Sequence, residues 1–380
     1  MKILELTEYQ SSFIAHKDLP ELVVNKLEQN YHNYVKIIST KNQWKLTAQG
    51  WVGFIPITPN FCIQIKPKVP IKNLFFMLEY VYKFKSIRLL DGLINCQSLA
   101  EFYNYFAAIL ARKILARIRQ GIYRAYLPKT DKLPYIRGRL DVRSTIQKPW
   151  DVNLKCDYQQ QTADVEDNQI LAWTLHKIRK TGICQPEVKC LVGKGDRLLQ
   201  GLVTLKPFTP EDCIRTYHRL NQDYEELHAL CRFFLANNSP SYATGTNASL
   251  PFLIDMAKLY ENFVAEWLQA HLPGNLKLKV QSQVNFGILK FKIDLVVYET
   301  GKPRYILDTK YKLKLTNDDV YQVVTYAVSK NCPQAVLVYP APLTQSLDET
   351  LGNIRVRSLV FSLDHDLQES GKTFLQALLK

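Results

Sequence analysis

Two apolar segments decide the reading of this chain: Lys292-Ile293-Asp294-Leu295-Val296-Val297-Tyr298 and Arg304-Tyr305-Ile306-Leu307-Asp308-Thr309-Lys310-Tyr311, separated by the turn Thr300-Gly301-Lys302. β-Branched and aromatic residues on both sides of a glycine turn predict a hairpin of strands 288–298 and 304–311. Folding it brings Asp294 close to Asp308, because directly opposed cross-strand positions lie only about 5 Å apart. Side chains alternate along a strand, so Asp308 and Lys310 share one face and Thr309 points away. The flanks are apolar enough to bury both carboxylates, and buried charges need partners. Two converging carboxylates repel unless a cation lies between them, and hard oxygen donors of this kind suit Mg²⁺, with Mn²⁺ as a substitute. Such an ion polarises a phosphodiester and acidifies water, while the Lys310 ammonium offsets charge developing on phosphorus.

Outward from the hairpin, a helix is expected over Met256 to Ala270, with Ala257, Glu261, Val264 and Leu268 on one stripe that is apolar except at Glu261. A bare carboxylate there would be costly, so Glu261 should find a cation, either at the metal site or at Lys310; the alternative is a Glu rotated to the solvated edge of the stripe. Beyond the hairpin, Asp318 and Asp319 open another helix, favoured there by the macrodipole, whose buried side is expected to be Val320, Val323, Val324, Ala327 and Val328. Gln322 and Tyr326 share a different face, where they could support the site or meet a phosphate. From residue 241 onward the order helix, three strands, helix, strand, strand, helix predicts an α/β core with a mixed sheet.

The remaining chain reads as two further regions. Residues 1–95 look β-rich with a following helix: Tyr34 to Ser39, Gln43 to Leu46 and Phe61 to Lys66 are short and β-branched or aromatic, and Pro59-Asn60 suggests a turn between paired strands. Residues 96–240 look mainly helical, through Leu99 to Gln120, Asn168 to Lys180 and Gln222 to Ala236, and the turn-rich run around Pro240 and Gly245-Thr246-Asn247 sets the last boundary. The expected fold class is therefore α+β and multidomain. At 380 residues each unit is large enough to bury its own core.

The 49 Lys and Arg against 35 Asp and Glu leave a net charge of +14, an excess that draws a protein toward polyanions. It concentrates between Arg112 and Lys148, where Arg112, Arg117, Arg119, Arg124, Arg137, Arg139 and Arg143 are interleaved with Tyr123, Tyr126 and Tyr135. That mixture suits DNA or partner contact; a solvated basic face is the alternative. Eight cysteines carry no C-x-x-C spacing and do not cluster with histidine, which argues against zinc and iron–sulfur sites. Their irregular spacing and an N-terminus without a signal-peptide pattern suggest a cytoplasmic protein. The longest apolar stretch, Leu74 to Phe84, is too short to span a bilayer. No G-x-x-x-x-G-K-[ST] loop is present, so no nucleotide is expected to bind this chain.

Glu261, Asp294 and Asp308-Thr309-Lys310 together resemble the PD-(D/E)xK nuclease superfamily, with Ile293 where that superfamily often has proline, and Gln322-Val323-Val324-Thr325-Tyr326 resembles the QxxxY motif of its RecB-like branch. More narrowly, Ile63-Gln64-Ile65-Lys66-Pro67-Lys68-Val69, Arg137-Gly138-Arg139, Asn168-Gln169-Ile170-Leu171, Leu259-Tyr260-Glu261-Asn262-Phe263-Val264 and Leu307-Asp308-Thr309-Lys310-Tyr311-Lys312, in this order, are similar to the McrC family, nuclease subunits of restriction systems acting on DNA with modified cytosine. The resemblance implies a Mg²⁺-dependent endonuclease with catalytic Asp294, Asp308, Lys310 and Glu261, the three carboxylates holding the metal and Gln322 and Tyr326 in support. It also implies double-stranded DNA as substrate and an McrB-like AAA+ GTPase as the partner that this subunit stimulates. A standalone RecB-like repair nuclease and a non-catalytic DNA-binding scaffold with a nuclease-like core are the competing readings.

Overall fold

A computed structural model describes residues 2–58, 60–84, 96, 98–148, 150–238, 250–286 and 289–380. The domain boundary expected near Pro240, the turn at Gly245-Thr246-Asn247, and Pro59, Gly287 and Ile288 of the expected turns and strand fall outside these residues. Among the described residues the fold is mixed α/β with four sheets.

Where the sequence suggests three consecutive domains, the described residues cluster into two compact units: one joins those up to Phe102 with those from Pro251 onward, the other comprises those from Tyr103 to Asn238 with Leu250. The physical reason is a strand that the sequence reading did not include. The short segment β10 (Phe252–Asp255) pairs antiparallel with β5 (Trp51–Thr58), Phe252 facing Phe54 and Asp255 facing Trp51. The first and last thirds of the chain therefore share a four-stranded sheet, in the order β1 (Lys2–Thr7), β6 (Phe61–Lys66), β5, β10. Gly53 makes that pairing possible: its φ is +151°, and a Cβ there would lie 2.0 Å from the Phe252 carbonyl oxygen. A smaller sheet, β2 (Ser11–Ala15), β4 (Gln43–Ala48), β3 (Val35–Ser39), and helix α1 (Glu21–Asn30) close a core of Leu6, Val23, Val24, Leu27, Val35, Leu46, Ile55, Ile63 and Leu253.

The same unit holds the six-stranded sheet that carries the hairpin. Its order is β11 (Leu276–Phe286), β12 (Leu289–Glu299), β13 (Lys302–Thr309), β14 (Gln334–Tyr339), β16 (Ile354–Val360), β15 (Asp348–Leu351). The first three strands are antiparallel, whereas β13, β14 and β16 run parallel. The sheet is therefore mixed, as its alternation of strands and helices predicts. The connection between β13 and β14 is helix α9 (Asn317–Lys330), which packs Val323, Tyr326 and Ala327 against Ile293, Val296, Ile306 and Leu337. Three of the valines expected inside this helix are not: Val328 is exposed and Val320 and Val324 are half-buried, because Tyr326 and Asp319 take the inward positions. Helix α8 (Met256–His271) precedes the sheet and buries Leu259, Tyr260, Phe263, Val264, Trp267 and Leu268. Ala257, expected on its apolar stripe, is exposed.

The second unit contains α3 (Leu99–Gln120) from Tyr103 onward, α5 (Glu166–Thr181), α6 (Pro186–Gln200) and α7 (Tyr224–Asn237). It departs from the expected mainly helical character in one respect. The basic stretch folds into a three-stranded sheet, β7 (Ala125–Leu133), β9 (Leu154–Thr162), β8 (Arg139–Leu140), with the short helix α4 (Val142–Gln147). Its strands alternate too weakly between apolar and polar to read as a half-buried sheet. Within them only Cys156 is buried, while Tyr126, Tyr135, Ile136, Ile146, Trp150 and Val152 stand exposed around it. Cys62, Cys156, Cys213, Cys231 and Cys332 are buried thiols. No helix among the described residues is long and apolar enough to cross a membrane.

Candidate active site

The hairpin places its charges through register. Leu295 opposes Leu307 and Val296 opposes Ile306, so one step further along the same ladder Asp294 opposes Asp308 on a shared face. The ladder gives way there to a side-chain contact, in which the Thr309 N–H donates to Asp294 Oδ2 at 3.1 Å and its hydroxyl lies 3.4 Å from the same atom. Thr309, expected to point away from the site, thus reaches the Asp294 carboxylate with its hydroxyl as well as its backbone N–H.

Asp308 is 1% exposed. The Lys310 ammonium lies 2.5 Å from its Oδ2 but off the hydrogen-bond axis, which leaves that buried oxygen without an aligned donor. Burial pushes the Asp308 carboxyl up to about 7, Lys310 opposing and Asp294 reinforcing the effect. Asp294 is also raised, chiefly by burial and then by the Glu261 charge. These two groups resist ionising together, as two close carboxylates do when nothing positive lies between them.

Lys310 is held from the other side. Its ammonium donates to Gln322 Oε1 at 2.8 Å, and the Gln322 amide donates to the Tyr326 hydroxyl at 2.8 Å. The i,i+4 pair on α9 is thus one end of a chain Tyr326–Gln322–Lys310–Asp308. Asp319, 4.0 Å from Lys310, is bound more tightly by Lys312 at 2.7 Å and closes a capping box with Thr316, and the Tyr339 hydroxyl donates to it at 3.3 Å. The sequence offered Asp319 only as a helix-opening acid; its capping partner was legible in the Thr316-x-x-Asp319 spacing.

Glu261 finds a cation, though a different one from Lys310. Lys258, three residues earlier on α8, donates to both carboxylate oxygens at 3.1 Å, and Gln281 Nε2 donates to Oε1 at 3.2 Å. The side chain is 16% exposed. Among the described residues no three His, Cys, Asp or Glu side chains come close enough together to enclose a metal ion. The carboxylates that converge are therefore Asp294 and Asp308, with Glu261 nearby and engaged elsewhere. Two aspartates with raised affinities for a proton, one of them presenting a buried oxygen without an aligned donor, fit Mg²⁺, which commonly takes one or two protein carboxylates and keeps several waters.

Beneath the site, Tyr311 extends the motif into a buried cluster. Its hydroxyl donates to Glu8 Oε2 at 3.2 Å, the Lys68 ammonium sits 4.1 Å from the Tyr311 ring centre and 4.8 Å from that of Tyr9, and the Tyr260 ring is 5.9 Å away. Glu8 is 1% exposed, and burial pushes its carboxyl up to about 7. No spacing in the sequence links residues 8, 68 and 311; only the pairing of the first and last thirds of the chain joins them.

The basic residues singled out between 112 and 143 lie in the other unit. Arg112, Arg119, Arg124, Arg137, Arg139 and Arg143 are exposed. Arg117 differs: its guanidinium pairs with Asp223 at 2.8 Å and lies over the Tyr224 ring, so it stabilises its own helices. Arg137 stacks on Tyr158 at 4.2 Å, and Gly138 between the two arginines has φ +70°, where a Cβ would meet the Asp157 carbonyl oxygen at 2.4 Å.

Comparison with known proteins agrees with this architecture. A family model described as "McrBC 5-methylcytosine restriction system component" matches residues 46–340. The "Type IV methyl-directed restriction enzyme EcoKMcrBC" of Escherichia coli (strain K12) is 23% identical over 220 residues, 54% of this chain; the match spans about three fifths (61%) of that relative's length. Among solved structures, a chain from a tetradecameric assembly of Thermococcus gammatolerans McrB AAA+ hexamers with bound McrC is 18% identical and superposes with a TM-score of 0.61 over 100% of this chain and 99% of that one. A second structure, of the Thermococcus gammatolerans McrBC complex, is 19% identical with a TM-score of 0.49 over 70% of this chain and 87% of that one. With the family match extending over most of its length, from the N-terminal strands through the site to β14, this chain belongs to the McrBC 5-methylcytosine restriction system component family.

Proposed function

We propose that this chain is the DNA-cleaving subunit of its restriction system, a metal-dependent endonuclease of the PD-(D/E)xK type whose active site is Asp294, Asp308 and Lys310 with Glu261 beside them. One observation carries the reading: Asp294 and Asp308 are opposed on a shared face, both resist ionisation, and a lysine two residues beyond Asp308 is tethered against them. Structural aspartates that served only the fold would gain by being replaced, since burying like charges together costs stability. Asp294 and Asp308 would hold Mg²⁺, which supplies Lewis acidity toward a phosphodiester and lowers the pKa of a bound water.

The chain's own residues do the rest. Thr309 N–H holds Oδ2 of the Asp294 carboxylate, which fixes the direction of its other oxygen. Lys310, held by Gln322 and through it by Tyr326, presents its ammonium beside Asp308, where it neutralises charge that builds on the phosphate oxygens as the bond to the leaving group breaks. The chain Tyr326–Gln322–Lys310 restricts the flexible lysine to one place, which is what a reacting group needs if its charge is to act at the transition state.

The partner in this reading is an McrB-like AAA+ GTPase, and the exposed three-stranded sheet of the second unit is the surface offered to it. Its aromatic and aliphatic side chains lack cover, and the exposed Arg137, Arg139 and Arg143 surround them. The similar fold of a chain solved with McrB hexamers supports this choice of partner. A cleavage assay with and without that GTPase, GTP and Mg²⁺, on methylated and unmethylated DNA, tests the reading. Cleavage that needs all components and vanishes in Asp308→Ala is expected. Cleavage by the isolated chain would favour a standalone repair nuclease, and DNA binding without cleavage under any condition would favour a scaffold.

A further inference from the structure

Gln281 lies in the middle of β11, yet its φ is +49°, the left-handed region that a non-glycine residue enters at a cost. A bulge would explain such backbone, because an extra residue must be absorbed where two strands change register. Here none is absorbed: Val280 faces Leu295 on one side and Ser282 faces Ile293 on the other, so the ladder keeps the same register through the distortion. An extended residue at 281 would simply complete it. The pairing of the sheet therefore does not demand the left-handed backbone.

What stands at that point is the site. Gln281 is the residue opposite Asp294 in the β11–β12 register, and it is this pair alone, between Leu276 and Phe286, that drops out of the ladder. The distorted backbone delivers the Gln281 amide to Glu261 Oε1 at 3.2 Å, across from α8. Lys258, the other donor to Glu261, is a flexible side chain 45% exposed to solvent, whereas Gln281 is anchored in a sheet. Strain kept at one position by its surroundings, beside the catalytic groups, marks a place where geometry was worth its cost.

We propose that Gln281 is a positioning residue for Glu261: its amide, delivered by left-handed backbone in mid-strand, fixes the Glu261 carboxylate at the rim of the Asp294–Asp308 pair. From there the carboxylate would accept hydrogen bonds from the waters that a bound divalent cation keeps, with Asp294 and Asp308 as the residues that would hold the ion. This inference rests on the nuclease reading, and it accords with Glu261 acting on Asp294 while, among the described residues, no three carboxylates form a cage. Loss of a hydrogen bond of this outer kind weakens metal binding by about 10- to 100-fold in comparable sites.

The test compares Gln281→Ala and Gln281→Gly in the full chain, by thermal melting and by calorimetric titration with Mn²⁺, alongside cleavage in the assembled complex. Both variants lack the amide, so both should bind Mn²⁺ about 10-fold or more weakly and cut more slowly. Only the glycine relieves the backbone, so Gln281→Gly should melt above Gln281→Ala. A variant no less stable than the native chain with weaker Mn²⁺ binding separates positioning from a merely structural role. Native Mn²⁺ affinity and native cleavage in Gln281→Gly would overturn the inference and leave the nuclease reading standing. A native chain that neither binds Mn²⁺ nor cuts would overturn both.

Discussion

Replacing Asp308 by asparagine should make the protein more stable and inactive at once. In the metal-free fold the Asp308 carboxyl is pushed up from 3.8 to about 7 by burial, so at pH 8 the ionised group opposes folding by on the order of 4 kcal/mol. Asparagine stays neutral and keeps the shape, so roughly 2–4 kcal/mol of that cost should be recovered, the lower figure allowing for a less favourable fit against Lys310. The sign follows from the direction of the shift. A carboxyl whose folded pKa is raised favours the fold fully below its unfolded pKa, near 4, and that contribution is lost as pH rises through about 7. The difference between Asp308→Asn and the native chain should therefore be small at pH 4, reach about a third of its full size by pH 5, grow toward pH 7, and level off above it. Urea denaturation in EDTA at pH 5 and pH 8 measures this. Mg²⁺ then reverses the order: the native chain gains stability from a ligand that binds only the folded state, and the variant gains little. Cleavage by the variant should fall by at least about 10²-fold. A variant less stable than the native chain at pH 8 without metal, or a difference that stays flat between pH 5 and pH 8, would refute the reasoning.

Lys310→Met should leave the melting temperature within a few degrees while reducing cleavage by about 10²-fold or more, since Asp308 can take a proton in its absence; single-turnover assays at matched Mg²⁺ check this. Glu8→Gln should stabilise the chain above pH 7 and have little effect at pH 4, because burial pushes this carboxyl from 4.5 to about 7, and stability curves across that window give the answer. Gly138→Ala should cost about 1–3 kcal/mol locally, from left-handed backbone and the clash with the Asp157 carbonyl, and hydrogen exchange should show faster opening of β8 and β9. Combined charge reversal of Arg137, Arg139 and Arg143 should weaken association with the GTPase, more so at low salt, without changing the fold seen by circular dichroism.

The site was largely legible because a hairpin is local. Two apolar runs and a glycine turn set the opposition of Asp294 and Asp308 without help from the rest of the chain, and Lys310 follows from strand alternation alone. Helix α9 was partly legible: its extent and the Gln322–Tyr326 pair could be read from spacing, but Val328 could not be placed outside, since the two sides of a valine-rich helix are told apart only by what packs on them. The sheet of the second unit was missed because its strands bury almost nothing, and a strand exposed on both faces has no alternation to read.

The sequence by itself determined the charged hairpin, the helices that flank it and the segregation of basic residues into one stretch. Tertiary structure alone decided that Phe252–Asp255 would join the first sheet, that Glu261 would meet Gln281 rather than Lys310, and that Glu8 and Lys68 would lie under Tyr311. The division has a physical reason. Register and alternation act between neighbours a few residues apart and are written in composition and spacing, whereas the choice among partners hundreds of residues distant depends on which buried charges and apolar faces the assembled fold brings within reach.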